Sequence, residues 1–237
     1  MAPMAGGTGR AGSSPRPWGT LQKIRLDPRK ARLHQMAKRV GLRQDGGQNA
    51  AVKSFKQPAG AYSPYDPQAP RVKPSTSTAA RKAAVAVENA IRHDEVETGV
   101  FIGADGIERL RRSGAPDRVP FTNLELSTKA GTTFTHNHPG NSSFTLDDYD
   151  NALFAGVAEL RAVTPQFRHI LVMGPKMPDV AQLQGLEDEL MPRLANLVQD
   201  MIKQGQLGPP AKGVELKHQF WREAARRHGF FYTRERS

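Results

Sequence analysis

The sequence predicts a mixed α/β domain over residues 75–237, with a central sheet flanked by helices on both sides. Two observations lead to this prediction. Segments with the apolar period of a helix alternate with short β-branched runs typical of strands. Basic and acidic residues balance in this part of the chain, whereas residues 1–74 contain fourteen Lys and Arg against three Asp and Glu. The net charge of +11 therefore lies in the N-terminal third, which we predict to be a mostly disordered arm and linker.

Within this arm, the composition predicts three parts. Residues 1–20 are of low complexity, and residues 46–74 are a proline-containing linker with few large aliphatic side chains. Between them, Asp27 and Pro28 are a good start for a short helix that continues to about Val40. A basic arm favours nucleic acid or an acidic partner, so we expect one of these to bind residues 1–74.

The first half of the domain is predicted to contain a helix and a hairpin. Hydroxyl residues at 75–78 can cap a helix that reaches about Arg92. The Asp-Gly pair at 105–106 separates two apolar runs, which is a strong hairpin signal. The strands expected here are Val96–Gly103, Ile107–Arg111 and Arg118–Phe121, and a short helix begins at Thr122.

The second half is predicted to alternate strands with longer helices. Glycine at 229 is well placed to end the last helix, and the apolar run after it can close the sheet. The predicted elements are a strand over 131–135, a helix from Leu146 to about Val163, a strand at Phe167–Val172, a helix at Asp179–Lys203, a loop at 205–213, a helix at Val214–His228 and a strand at Phe230–Thr233.

Two histidines lie one residue apart at the end of the strand predicted over 131–135. His136 and His138 project to the same face if the strand continues, because side chains alternate along a strand. Thr145 resembles the N-cap of the next helix, whose first turn carries Asp147 and Asp148. Two imidazoles and one of these carboxylates together predict a metal site with three protein ligands.

Such a site predicts hydrolytic chemistry. Three protein ligands leave a position open for water, which is the arrangement of catalytic zinc sites. A general base is then required, and Glu97 at the start of a neighbouring strand is the best candidate, with Glu95 as the alternative. The hydroxyl of Thr145 is a candidate donor to an oxyanion.

This arrangement resembles the signature of the JAB/MPN metallopeptidases, also called JAMM. In that family a strand glutamate is followed by His-x-His-Pro and, after a short loop, by Ser-x-x-Asp. The similarity covers about residues 95–163, and the matching residues here are Glu97, His136-Asn137-His138-Pro139 and Thr145-Leu146-Asp147-Asp148. There are two departures: threonine replaces the serine, and the loop before it is one residue shorter than usual.

The resemblance implies a JAB/MPN fold of the cytidine-deaminase-like type and a zinc-dependent hydrolase of peptide or isopeptide bonds. It implies that His136, His138 and Asp148 bind Zn²⁺, with Asp147 as the fallback ligand. Glu97 would be the general base, and Thr145 would take the serine's place. Asparagine between the histidines is most similar to the RadC-like branch and to JAB-type domains associated with phages and polymorphic toxins. A protein or peptide substrate is therefore expected.

An alternative of another class is a RadC-like accessory protein that binds without proteolysis, with the basic arm holding nucleic acid or a protein partner. Other zinc sites are excluded by pattern. The chain has no cysteine, so thiolate zinc sites and disulfides are ruled out, and it has no His-Glu-x-x-His. No secretory signal or membrane-spanning run is visible, so we expect a cytoplasmic protein, unless it is exported by a route that reads no such signal.

Overall fold

A computed structural model of the chain describes residues 71–237. The short helix predicted over 27–40, the low-complexity leader and the linker before residue 71 lie outside the described residues. The described elements, in chain order, are α1 Ala79–Ile91, β1 Thr98–Ile102, β2 Glu108–Ser113, α2 Asn123–Leu126, β3 Thr133–Asn137, α3 Leu146–Ala155, β4 Glu159–Val163, β5 Phe167–Val172, α4 Val180–Lys203, a 3₁₀ turn Pro209–Ala211, α5 Lys212–His228 and β6 Phe231–Arg236.

The strands form one six-stranded sheet in the order β2-β1-β3-β4-β5-β6. Only β3 and β4 are parallel, and every other neighbouring pair is antiparallel. Helix α3 makes the crossover between the two parallel strands, as a parallel pair requires. The prediction of an α/β domain with a mixed sheet is therefore confirmed.

Helices cover both faces of this sheet, as the sequence predicted. On one face, α1 packs over Val100, Ile102 and Val163. On the other face, α3, α4 and α5 enclose the larger core, which is built from aromatic and leucine side chains including Phe101, Phe134, Phe144, Tyr149, Leu160, Leu171, Leu183, Leu190, Phe220 and Trp221.

The face under α1 also contains a buried ionic network. Glu88 of α1 accepts hydrogen bonds from Arg161 of β4 at 2.5 Å and from Arg168 of β5 at 2.8 Å. Arg161 also donates to Glu159 at 2.7 Å. Buried charges are tolerated only when they are paired in this way, so the network links α1 to two strands.

The helix predicted over 146–163 is wrong in its second half. Helix α3 ends at Ala155, and Gly156 follows in the left-handed conformation with φ 67°. The next residues form β4, whose charged side chains at 159 and 161 are satisfied by the ionic network under α1. A run of Glu, Leu, Arg and Ala favours a helix by propensity, and tertiary packing overrides it here.

The short strand predicted at Arg118–Phe121 is also wrong. This stretch makes a single bridge, between Ala115 and Arg118, and otherwise runs as a loop. Pro116 lies between the two bridged residues and Pro120 follows them, and proline cannot donate to a strand ladder. At the other end of the chain, β6 reaches Arg236, beyond the predicted end at residue 233.

The predicted ligands His136 and His138 lie at the end of the sheet where β3 stops. Strands β3, β4 and β6 end there, and β1 and β5 begin there. The first described residues also lie at this end of the sheet, since the amide of Val72 donates to the carbonyl of Arg236 in β6 at 2.9 Å. Among residues 71–237, no helix combines the length and apolar character needed to cross a membrane.

Candidate metal centre

The two predicted ligand histidines lie together at the end of β3. His136 is the fourth residue of the strand, and His138 follows its last residue, where its amide still donates to Val163 of β4 at 2.9 Å. Both side chains are buried, and their Nε2 atoms are 2.8 Å apart. The strand end therefore directs two imidazole nitrogens to one point.

Asp148 of α3 completes the group. One carboxylate oxygen lies 3.6 Å from Nε2 of His136, and the other lies 3.4 Å from Nε2 of His138. One donor atom from each of the three side chains lies within 4.8 Å of the others. The structure therefore brings together three side chains that could hold a metal ion, as the sequence predicted.

The hydrogen bonds of His138 fit it to bind a cation. Its Nδ1 lies 3.0 Å from the carbonyl of Ser142, which can only accept, so this nitrogen carries the proton of the neutral ring. Nε2 then presents its lone pair to the group, in the orientation that bound metals select. Two imidazole nitrogens and a carboxylate suit zinc and other divalent transition metals.

Thr145 holds the carboxylate of Asp148 in place through a capping box. Its hydroxyl donates to Oδ2 of Asp148 at 2.7 Å and accepts from the amide of Asp148 at 3.1 Å. The hydroxyl's single proton is therefore already used within the cap. The fallback ligand Asp147 is exposed and lines the neighbouring cleft, and it is not part of the group that converges on the histidines.

Glu97 lies directly before β1, and its carboxylate approaches the same group. Oε1 of Glu97 is 3.6 Å from Nε2 of His138. Burial raises the pKa of Glu97 to about 7, with Asp148 and Asp117 adding to the rise and His138 opposing it. The alternative Glu95 is exposed and does not line the clefts beside the group.

Asn137 supports the candidate site from the other face of the sheet, and sequence reasoning assigned it no role. It points to the opposite face from the two histidines, where its side chain accepts from the amide of Thr98 at 2.7 Å and donates to the carbonyls of Asp94 and Val96. These bonds hold the segment that carries Glu97 against the end of β3. The sequence offered only its place between the two histidines, which bears on the family resemblance and not on this contact.

The charges in the group are strongly coupled. Burial lowers the pKa of His136, against the opposing effect of Asp148. Burial acts in the same direction on His138, but its hydrogen bond to Asp148 and the charges of Asp148 and Glu97 raise its pKa overall. Burial alone would raise the pKa of Asp148, yet the two histidines hold it well below its usual value. The carboxylate is thus ionised, as a metal ligand must be.

Two clefts open onto this group. The larger has a volume of about 340 Å³ and the smaller about 180 Å³. Glu97, Asp117, Thr145 and Asp148 line both of them, so the group lies between the two. The larger cleft also has His136 in its wall. A substrate can therefore approach the three ligands and Glu97 at the same time.

Two C-terminal elements, α5 and β6, hold the loop between His138 and α3 in place. The indole of Trp221 in α5 donates to the carbonyl of Phe144 at 2.9 Å. The hydroxyl of Tyr232 in β6 lies 3.3 Å from the hydroxyl of Ser143 and 2.9 Å from Nδ1 of the buried His169. The last helix and strand therefore help to position the loop that orients His138.

Comparison of the chain with protein-family models, with curated proteins and with solved structures found no match. Functional inference for this chain therefore rests on residue chemistry and geometry.

Proposed function

We propose that this protein is a zinc-dependent hydrolase of the JAB/MPN type that cleaves a peptide or isopeptide bond. One observation carries the proposal: Glu97 lies within 3.6 Å of a group in which His136, His138 and Asp148 converge. Three neutral or anionic ligands with a carboxylate beside them form the arrangement of a catalytic zinc site. The family resemblance in the motif residues supports the same proposal.

The roles of the residues follow from their positions. When bound, zinc supplies a Lewis acid and a water molecule that ionises near neutral pH. Glu97 accepts a proton within the cleft and delivers it to the departing amine. Thr145 orients Asp148 through the capping box, and its role as an oxyanion donor remains a prediction. Ser142 orients His138 through its carbonyl group.

Substitution of Glu97 tests the proposal. We expect Glu97→Gln to lower peptide hydrolysis by at least about 100-fold, because a general base contributes about that much or more. The matched control is Glu95→Gln, since Glu95 is exposed and outside the clefts, and it should keep full activity. Elemental analysis should find about one zinc per chain in both variants, and none in His138→Ala. Hydrolysis that survives in Glu97→Gln would contradict the assigned base.

A second candidate function is non-catalytic binding through the basic arm, as in a RadC-like accessory protein. The observation that favours it is the charge, since residues 1–70 contain twelve basic and three acidic residues. Binding of a DNA duplex, titrated at several salt concentrations, should weaken with salt and disappear when residues 1–70 are deleted. A truncated protein that binds DNA as well as the full chain would exclude this role. A phage- or toxin-associated role remains a prediction.

A further inference from the structure

We propose that the larger cleft binds an extended peptide that carries a bulky apolar side chain next to a basic one. This inference rests on the proposed function, because it takes the His136, His138 and Asp148 group as the reacting centre beside the cleft. It goes further in naming the class of substrate, which the ligand motif leaves open.

The apolar part of the cleft is built from aromatic rings that lead up to the ligands. Phe101 and Phe134 stack with ring centroids 4.4 Å apart, and Phe121 packs edge-on against both. Phe134 in turn stacks on His136 at 5.0 Å. All three phenylalanines line the larger cleft together with Leu126. Phe101, Phe134 and Leu126 are buried in the core behind the cleft, so the half-buried Phe121 is the ring that a ligand in the cleft can reach most directly.

A glycine keeps the aromatic rings close to the sheet. Gly99 of β1 is the register partner of His136. A Cβ atom at this position would lie 3.0 Å from the rings of both Phe121 and Phe134. A larger residue would therefore force these rings to shift. The apolar pocket beside His136 thus depends on the absence of a side chain directly opposite.

Exposed carboxylates surround this apolar floor. Asp117, Asp147 and Asp150 are exposed residues that line the cleft, in addition to Glu97 and Asp148 at the ligand group. The exposed charged residues of the rim are therefore these three aspartates and one basic residue, Arg118, so the rim carries net negative charge. Such a rim attracts a cationic group, and its charge complements lysine or arginine rather than an acidic side chain.

The volume of the cleft limits how much of a peptide it can hold. A volume of about 340 Å³ is at the lower end of the range for ligand pockets. It can take one large side chain and the neighbouring backbone, but not a folded domain. The chemistry of floor and rim then favours a large aliphatic or aromatic side chain flanked by a cation.

Three synthetic peptides test the proposal. The parent carries Leu-Lys at the centre of a glycine- and serine-rich fluorescein-labelled sequence, and the other two replace the leucine with serine or the lysine with glutamate. Binding is measured by fluorescence anisotropy to full-length Glu97→Gln protein loaded with zinc. Cleavage by the wild-type protein is followed by mass spectrometry. We expect the parent to bind roughly tenfold more tightly than the serine peptide, because an apolar side chain is lost.

Variants of the cleft assign each preference to its surface. Phe121→Ala should reduce the ratio of parent to serine-peptide affinity, and Asp147→Lys should abolish or reverse the preference for lysine over glutamate. Asp188→Lys makes the same charge change on the exposed side of α4 and should leave both ratios unchanged. Ratios are compared because a general loss of binding cancels in them, and zinc content is measured for every variant.

The outcomes separate this inference from the proposed function. Preferential binding without cleavage by the wild type supports the peptide cleft and contradicts the hydrolase. Cleavage of all three peptides at equal rates supports the hydrolase and overturns the specificity. Equal binding of the three peptides, binding of none, or a preference for glutamate overturns the proposal. Ratios that are unchanged in Phe121→Ala and Asp147→Lys would also overturn it.

Discussion

Asp148 acts both as a helix cap and as a candidate metal ligand. Its Oδ2 accepts from the amide and hydroxyl of Thr145, while both oxygens approach the histidines. An amide can still accept in the cap but is a poor ligand for zinc. We therefore expect Asp148→Asn to lose bound metal on dialysis, with a helix cap that stays intact, and Asp147→Asn to keep its metal. Equal metal content in the two variants would refute the assignment of Asp148.

The second residue-scale prediction concerns His169, which is buried within hydrogen-bonding distance of Tyr232. Burial lowers the pKa of His169 well below its usual value, and the charges of Arg234 and His138 act in the same direction. His218 of α5 packs against the same tyrosine. The unfolded chain therefore binds a proton at this histidine more readily than the folded protein does. Above about pH 6.5 both states hold His169 neutral and the protein keeps its full stability. Below that value the free energy of unfolding decreases as the pH falls.

Urea unfolding of the metal-free protein between pH 8 and pH 5 measures this effect. Each such histidine changes the free energy of unfolding by up to about 1.4 kcal/mol per pH unit in acid. His169→Gln should reduce the slope, whereas the slope should persist in His93→Gln, because His93 is exposed. An unchanged slope in His169→Gln would show that this histidine does not contribute to acid sensitivity.

The ligand group was predictable from sequence because its members are close along the chain. Spacing along one strand and into the next helix is enough to place His136, His138 and one of two neighbouring aspartates, and the family resemblance then selected Asp148. Asn137 and Asp117 were not identified as site residues, since their roles depend on contacts that no local pattern encodes. Asn137, for example, bonds to the amide of Thr98, thirty-nine positions away in sequence.

At the level of secondary-structure elements, Asn137 connects β3 to the segment that begins β1. Asn137→Ala would leave the buried amide of Thr98 without its partner, which costs about 1–3 kcal/mol, and would remove the bonds to the carbonyls of Asp94 and Val96. We expect lower thermal stability and reduced hydrolysis at normal zinc content, because Glu97 loses its support. Asn196→Ala, on the exposed surface of α4, is the control and should behave like the wild type.

The end of α3 depends on a glycine in the left-handed conformation. Gly156→Ala introduces no close contact, because the nearest atom to the added Cβ is 3.6 Å away, but φ 67° is unfavourable for alanine. We expect a loss of about 1 kcal/mol in unfolding free energy. Gly185→Ala in α4 should instead gain about 1 kcal/mol, because that glycine lies in a helix and its Cβ would meet nothing within 4 Å. Effects of the same sign in denaturant titrations would contradict this account.

Secondary-structure prediction from sequence failed where an element depends on distant partners. The hairpin, α1, α4 and α5 follow from local turn, cap and periodicity signals. Strand β4 does not, since its Glu159 and Arg161 look solvent-exposed in sequence and are buried only because Arg81 and Glu88 pair with them. A polar strand of this kind cannot be recognised without its neighbours.

For the whole domain, the ionic network under α1 joins the first helix of the described chain to β4 and β5, more than sixty residues later. Glu88→Gln leaves Arg161 and Arg168 buried without their shared carboxylate, and breaking such a pair costs about 3–5 kcal/mol. Glu108→Gln on β2 removes an exposed partner of Arg111 and should cost less than about 1 kcal/mol. Comparable losses in thermal or denaturant unfolding would mean that the network is not a principal source of stability.

Val72 fixes the point on the domain to which the N-terminal third is joined. Its amide is bonded to the end of β6, three strand spacings or about 14 Å from the strand that carries the histidines. A molecule held by residues 1–70 would be tethered through Val72, at the same end of the sheet as the cleft. Its encounter with the cleft would be intramolecular, at an effective concentration set by the length of chain between the bound molecule and Val72. Weak recognition in the cleft would then be enough for selective turnover of whatever the arm captures.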